Sequence, residues 1–409
     1  MPNQTGVNST DGNIFDECLQ SHAENSIALL FGLAIMQATN HLFTPLFNCC
    51  LRKGLPQLTA PSLATSQKPR SVWLVLFDPL PAVITESTDP ASAAFDLLEA
   101  SGIVFEQYVV QDVRSVATLD DYLGGAAAIR NWCRAAGVLR GSVVWLQVSA
   151  EVSSSAGVFS APELLAATQA EVVQLSVRDL LQPAAGLMRA VETAGLVIVS
   201  VRLSSDAVPA TAAEVVTQLQ SLAAGLCGNS RGAEPVWLVT GFRGVPRPPE
   251  APLESGADEA FLHVPLWVTA AESAGTRLQT LCGSFDLLPT VGELLSPGCA
   301  AAGETAAADS PVNLLAGEYQ RFDHTPRLLQ LQHDMWTGRR TSQYFLVQPV
   351  SVRGEASCVE GVGAEPGSDD LPEPRLYLKP DDYWNINNSI VAYREIAEQM
   401  ALAGSAMNS

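Results

Sequence analysis

The unbroken apolar run Val72-Trp73-Leu74-Val75-Leu76-Phe77, which ends in Asp78-Pro79, constrains the fold of this chain more than any other segment. A strand with one wet face alternates apolar and polar residues. A strand without alternation is covered on both faces, which is the condition inside a parallel sheet. The rest of the chain repeats the theme. Phe95 to Ser101 is a helix with Gly102 as its stop, and Ile103-Val104-Phe105 with Tyr108-Val109-Val110 is the next strand. Ala126 to Ala136 is helical, Ser142 to Val148 a strand, and Ala161 to Ala194 a long Ala/Leu-rich helical stretch broken near Pro183. Leu196 to Val201, Ala212 to Cys227 and Val236 to Thr240 follow as strand, helix and strand. This alternation predicts an α/β sandwich, a mostly parallel central sheet flanked by helices.

Further on, His263-Val264-Pro265-Leu266-Trp267-Val268 has the pattern of a buried strand. A surface loop leads from it to Ser284-Phe285-Asp286-Leu287-Leu288-Pro289-Thr290, where Asp286 and Pro289 suit the start of a helix reaching Leu295. Gly298 to Ser310 is an Ala/Gly-rich surface loop. From Tyr344 the pattern changes. Tyr344 to Val352 and Arg375 to Leu378 are expected as paired strands split by a loop from Gly354 to Pro374, and Ile390 to Ala403 as a closing helix. The expected organisation is a helical extension and linker over 1–70, an α/β domain over 71–310, and a small C-terminal α+β subdomain over 311–409.

At 409 residues and 47% hydrophobic content the chain can bury a large core, which excludes wholesale disorder. Its formal net charge of -20 excludes nucleic acid and anionic membrane as main partners, since both demand basic patches. Lysine occurs only at Lys53, Lys68 and Lys379. The apolar stretch from Ile27 to Met36 is about half the ~20 residues a membrane span needs, so no transmembrane segment is expected. The N-terminus lacks the pattern of an export signal, and eight cysteines over this length are too sparse for a disulfide scaffold. Both point to a cytoplasmic protein.

Three groups of residues have side chains that could act as ligands or catalysts. Cys18 and His22 lie one helical turn apart, with His41, Cys49 and Cys50 beyond, but no C-x-x-C pair marks a metal site. His324, His333 and Asp334, near Trp336, sit in polar loop sequence without a nucleophile partner. Asp381 and Asp382 follow Leu376-Tyr377-Leu378-Lys379-Pro380 and are expected to form a structural turn.

The segments from Val72 to Asp78, from Phe95 to Tyr108 and most of Val236 to Gln399 together resemble the sulfatase family of the alkaline phosphatase superfamily. The H-V-P-L strand with its D-L-x-P-T turn is similar to that family, as is Phe95-Asp96-Leu97-Leu98-Glu99-Ala100-Ser101-Gly102-Ile103-Val104-Phe105. The resemblance implies the family's fold and also shows what is missing. Family members end their first strand in paired Asp residues that bind Ca²⁺ or Mg²⁺, and here Asp78 is followed by proline. Their C-x-P-x-R motif, or its Ser variant, becomes formylglycine, and here the local sequence is Val113-Arg114-Ser115-Val116-Ala117-Thr118. The nearest cysteine, Cys133, lies in an expected helix. Their S/T-D-H/N-G turn is replaced by Thr240-Gly241-Phe242-Arg243-Gly244, with Phe242 where the carboxylate belongs and Arg243 where the histidine belongs.

The expected residual crevice is therefore Asp78, Ser115, Phe242 and Arg243, beyond the strand ends. The expected protein is a degenerate sulfatase-like scaffold without a cofactor, its partner a small anionic ligand or a protein. The alternative is an ester hydrolase of sulfuric or phosphoric esters with a rearranged site, using Ser115 or Thr118 as nucleophile and a divalent cation. Asp78 and Arg243 are expected within salt-bridge or water-bridged reach, with Phe242 filling the metal position; the alternative is an Arg243 that extends into solvent.

Overall fold

The structure, a computed structural model, describes residues 71–80, 93–114, 117–137, 142–149, 159–203, 208–227, 235–244, 259–269, 275–297, 311–315, 327–350, 373–379 and 387–403. All of them lie in the unit Pro61–Ser409 into which the chain divides. The expected extension and linker over 1–70 lie outside the described residues, as does the loop from Gly298 to Ser310.

The large sheet is formed by β1 (Val72–Asp78), β2 (Gly102–Val109), β3 (Val143–Ser149), β4 (Glu171–Ser176), β5 (Leu196–Arg202), β6 (Val236–Gly241), β7 (Leu266–Thr269) and β8 (Thr276–Gly283). Their order is β4-β3-β5-β1-β6-β7-β2-β8. β1 lies inside the sheet and pairs in parallel with β5 and β6, which is why its sequence carries no alternation. β7 alone runs antiparallel to its neighbours in this sheet.

Trp73, Val75 and Phe77 of β1 point into one layer, where they meet Phe95 and Leu98 of α1 (Ala93–Ser101). Val72, Leu74 and Leu76 point into the other, packed with α2 (Leu119–Tyr122) and α3 (Gly125–Ala135). All six side chains are at most 2% exposed. Each contributes roughly 1.5–3 kcal/mol from burial, so this one strand anchors both halves of the sandwich. Gly124, at φ +97°, makes the left-handed turn that joins α2 to α3.

Two regions differ from the sequence expectation. The stretch from Ala161 to Ala194 is not a broken helix but α4 (Pro162–Thr168), then β4, α5 (Val177–Leu181) and α6 (Ala185–Thr193). Helix α4 stops where Gln169 turns left-handed, and a Ser176–Asp179 capping box starts α5. Between these two stops the backbone pairs with β3, so tertiary pairing overrides the Ala/Leu pattern. The expected surface loop before Ser284 likewise contains β8, paired in parallel with β2. Beyond β6, α7 (Val208–Cys227) having preceded it, the chain forms α8 (Glu259–Leu262) and later α9 (Leu287–Leu295).

A second, antiparallel sheet has the order β12-β11-β10-β9, from β9 (Leu329–Gln332), β10 (Trp336–Arg340), β11 (Tyr344–Pro349) and β12 (Arg375–Leu378). The expected β11–β12 pair is present, whereas β9 and β10 occupy sequence expected as polar loop. One face of this sheet carries Leu346 and Leu376 against Ala397 and Met400 of α10 (Arg394–Ala403). That helix is shorter than expected, with 390–393 in a turn. The other face, with Leu329, Leu331, Trp336, Phe345 and Tyr377, joins the core of the large sheet.

Candidate functional site

β1 and β6 continue to bond after their regular pairing ends. Phe242 N–H donates to the Phe77 carbonyl at 2.7 Å and Leu80 N–H to the Arg243 carbonyl at 2.9 Å, while Leu203 N–H donates to the Asp78 carbonyl at 3.0 Å. These bonds fix the residues that cap the strand ends. Gly241 is required here, because a Cβ would lie 2.8 Å from Leu80 Cβ and 3.0 Å from Val264 Cγ1.

On this frame Arg243 grips Asp78 with two parallel bonds, Nε to Oδ1 at 2.6 Å and Nη2 to Oδ2 at 3.1 Å. Asp78's side chain is 8% exposed and Arg243's 33%. The bidentate geometry engages both carboxylate oxygens. Phe242, next along the chain, turns inward. Its ring stacks on Tyr122 at 4.9 Å and meets the edge of Phe159 at 5.1 Å.

Tyr122 reaches this point because α2 leans on the strand ends. Its hydroxyl donates to the Gly241 carbonyl at 2.9 Å and lies 2.7 Å from the Tyr108 hydroxyl. With the Tyr122 proton committed to that carbonyl, Tyr108 donates to Tyr122. Burial raises both phenols, and for Tyr108 the neighbouring Tyr122 adds to the effect. Both remain protonated donors at neutral pH, which makes the pair a structural prop rather than an acid–base couple.

Ser115 lies outside the described residues. Beside it, Arg114 grips Asp112 through Nε at 2.9 Å and Nη2 at 2.5 Å, with Asp121 3.4 Å away. The hydrogen bond to Asp112 raises the Arg114 pKa, against the opposing effect of burial. The Thr118 hydroxyl is bound within its own helix cap: it donates to Asp121 Oδ2 at 2.7 Å and accepts from Asp121 N–H at 3.2 Å. Asp120 is buried and receives the Glu163 and Leu164 N–H groups at 2.7 and 3.1 Å; burial raises its pKa.

This donor set does not fit a hard divalent cation. Such an ion wants six or more oxygens with carboxylates among them. Here one carboxylate has both oxygens bound to a guanidinium, and the adjoining side chain is a stacked phenyl ring. Among the described residues no three His, Cys, Asp or Glu side chains are grouped to hold a metal.

The other candidates do not join this site. His333 lies in the turn between β9 and β10, stacked on Trp336 at 5.0 Å, with Asp334 exposed beside it. Cys133 is half-buried on α3, where burial raises its thiol pKa. Cys18, His22, His41, Cys49, Cys50, His324, Asp381 and Asp382 lie outside the described residues. Sequence reasoning missed Tyr122, Phe159 and the Asp112–Arg114 pair. The Asp112-x-Arg114 spacing was a usable signal for the last of these, but nothing in the sequence around Tyr122 or Phe159 points to the strand ends.

Asp286, expected only at a helix start, is a second bidentate partner. Its carboxylate takes Arg327 Nη1 at 2.7 Å and Nη2 at 2.5 Å, plus the Gly283 and Val312 N–H groups at 2.7 and 2.9 Å. The side chains are 0% and 5% exposed. Burial opposes the Arg327 charge, but Asp286 outweighs it and the net shift is upward.

The fold is a parallel-centred α/β sandwich whose inner strand β1 ends in an acidic residue, Asp78. The sequence matches no family profile and no curated protein. Solved structures do match. Ps i-CgsB, in complex with a k-i-k-neocarrahexaose, aligns with TM-score 0.55 at 12% identity, over 83% of this chain and 93% of that one. The protein yidJ of Bacteroides fragilis, provisionally described as a sulfatase, aligns with TM-score 0.53 at 11% identity, over 82% and 94%. BT4656, in complex with its substrate D-glucosamine-2-N,6-O-disulfate, aligns with TM-score 0.52 at 9% identity, over 83% and 97%. At these identities the likeness is one of fold: the chain has the sulfatase-like fold. No helix among the described residues is long and apolar enough to cross a membrane.

Proposed function

We propose that this chain is a catalytically silent sulfatase-fold protein, in which Arg243 stands where the family's resemblance places a cation ligand and the scaffold serves binding or assembly. The observation that carries this reading is the two-point Asp78–Arg243 contact with Phe242 folded inward beside it. A carboxylate already neutralised by a guanidinium gains little from a cation and offers it no free oxygen. The Thr118 hydroxyl, the alternative nucleophile, is held in a helix cap, where an attacking role would cost the cap. Arg243 remains a third exposed, so its outer edge can meet a small anionic group, the class of ligand this reading favours.

The test is turnover and thermal melting of the purified full chain. We expect no hydrolysis of aryl sulfates or aryl phosphates, and a melting temperature unchanged by added Ca²⁺, Mg²⁺ or a chelator. Ester hydrolysis that a chelator abolishes, and that either cation restores, would establish the rearranged hydrolase instead.

A further inference from the structure

The two edges of the large sheet are built differently. At one edge Arg277 of β8 is held by Glu99 at 2.5 Å and Glu106 at 2.8 Å, so charge crosses the strand. At the other, β4 pairs with β3 in unbroken register from Val144↔Glu171 to Ser149↔Ser176. Among the described residues no strand covers its outer side. Lysine, proline and bulges are the usual blocks to edge pairing, and the β4 sequence Glu-Val-Val-Gln-Leu-Ser has none. Val172 is 41% exposed, and Leu181 just beyond is 52% exposed.

We propose that β4 is the contact strand of a homodimer, in which two copies pair antiparallel through β4 and extend one sheet across both. The ends of β4 select a second copy as the occupant. Glu171 opens the strand and Arg178 stands just past its end; both are exposed, and among the described residues neither forms a salt bridge, although the Arg178 charge also acts on the adjacent Asp179. Antiparallel self-pairing sets Glu171 of each copy beside Arg178 of the other, so the strand is complementary to itself in charge.

The faces agree as well. An antiparallel pair related by a twofold axis perpendicular to the sheet keeps each side chain on its own face, which requires the axis to pass through a residue rather than between two. An axis at Gln174 sets Val173 opposite Leu175. Both already pack, partly buried, on the layer that contains Val177 and Leu180 of α5. Arg178 belongs to that helix, and Glu171 shares the strand face of Val173 and Leu175, so the opposite charges meet on one side. Val172 then lies opposite Ser176 on the other face.

The experiment is sedimentation equilibrium of the full chain and its charge-reversal variants, with circular dichroism to establish that each is folded. We expect a dimer in the parent protein. Glu171→Arg and Arg178→Glu should each weaken it by at least roughly tenfold, since each sets like charges together, and the two combined should restore it. Val172→Lys should weaken it too, by placing a lysine on the edge. As a check independent of charge, mild oxidation of Gln174→Cys should give a covalent dimer that the parent protein does not give, because the introduced thiols face each other across the axis. A parent protein that stays monomeric up to its solubility limit would overturn the proposal. So would a dimer indifferent to both single reversals, or the absence of the covalent product.

Discussion

Asp286 and Asp78 each take two hydrogen bonds from one guanidinium, Asp286 from Arg327 at 2.7 and 2.5 Å, Asp78 from Arg243 at 2.6 and 3.1 Å. Their surroundings separate them. Asp286 is fully buried and also receives two backbone N–H groups, one from the end of β8 and one from Val312, so it ties distant segments together. Asp78 joins two strand ends that backbone bonds already hold, and its arginine keeps a third of its surface in water. The same pairing chemistry thus locks distant segments in one place and joins two neighbouring strand ends in the other. Burial and the number of extra partners decide which.

That contrast can be broken by mutation. Asp286→Ala should cost about 3–5 kcal/mol, since it strands a buried guanidinium and two N–H groups. Urea unfolding measures this, and a loss smaller than that of Asp78→Ala would reverse the ranking. Asp78→Ala and Arg243→Ala should each cost about 2 kcal/mol, between the values for buried and exposed pairs. Their combination should cost less than the sum, because neither charge is then left alone. Strictly additive losses would mean that the pair contributes nothing as a pair.

The smallest effect concerns a group that stays neutral. Burial lowers the His333 pKa from 6.5, with Asp334 opposing, and the ring's Nδ1 accepts the Met335 N–H at 3.1 Å, a role only an unprotonated nitrogen can fill. The folded state therefore binds this proton less readily than the unfolded chain. The resulting stability is fully present above pH 6.5 and is lost as pH falls through the lowered folded value. With the side chain half in solvent, the contribution should be under about 1 kcal/mol. His333→Phe should keep the stack on Trp336 and flatten that part of the stability profile between pH 5 and 8. An unchanged slope would remove His333 as its cause.

How much the sequence discloses follows the same division between inside and edge. β1, β3, β5 and β6 were legible because strands covered on both faces are spelled in continuous apolar runs. β4 and β8 lie at the sheet edges, where half-exposed positions dilute the pattern. Glu171 to Ser176 could pass for helix, and Thr276 to Leu281 for loop. β9 and β10 were hidden by their short length and their many polar residues. At the site, Asp78 and Arg243 were predictable as partners because the sulfatase resemblance implies that their two strand ends share one cation in that family. Tyr122 and Phe159 were not, because their arrival depends on how α2 and the approach to α4 lie across the sheet. Local sequence carries no such information.

The placement of β1 inside the sheet also sets an order in time. Asp78 and Arg243 are 165 positions apart, and both strands that flank β1 are made well after it. At the usual pace of synthesis, that interval lasts roughly ten to thirty seconds. For most of it, until β5 is made, this apolar strand of the nascent chain has neither flanking strand to pair with, a state that invites sticking to other chains. Asp78, directly after Phe77, puts a charge at the end of that run while it waits, and charges flanking a hydrophobic strand discourage such contacts. One carboxylate therefore serves the protein twice, first as a guard on the ribosome and later, once Arg243 has emerged, as half of a latch.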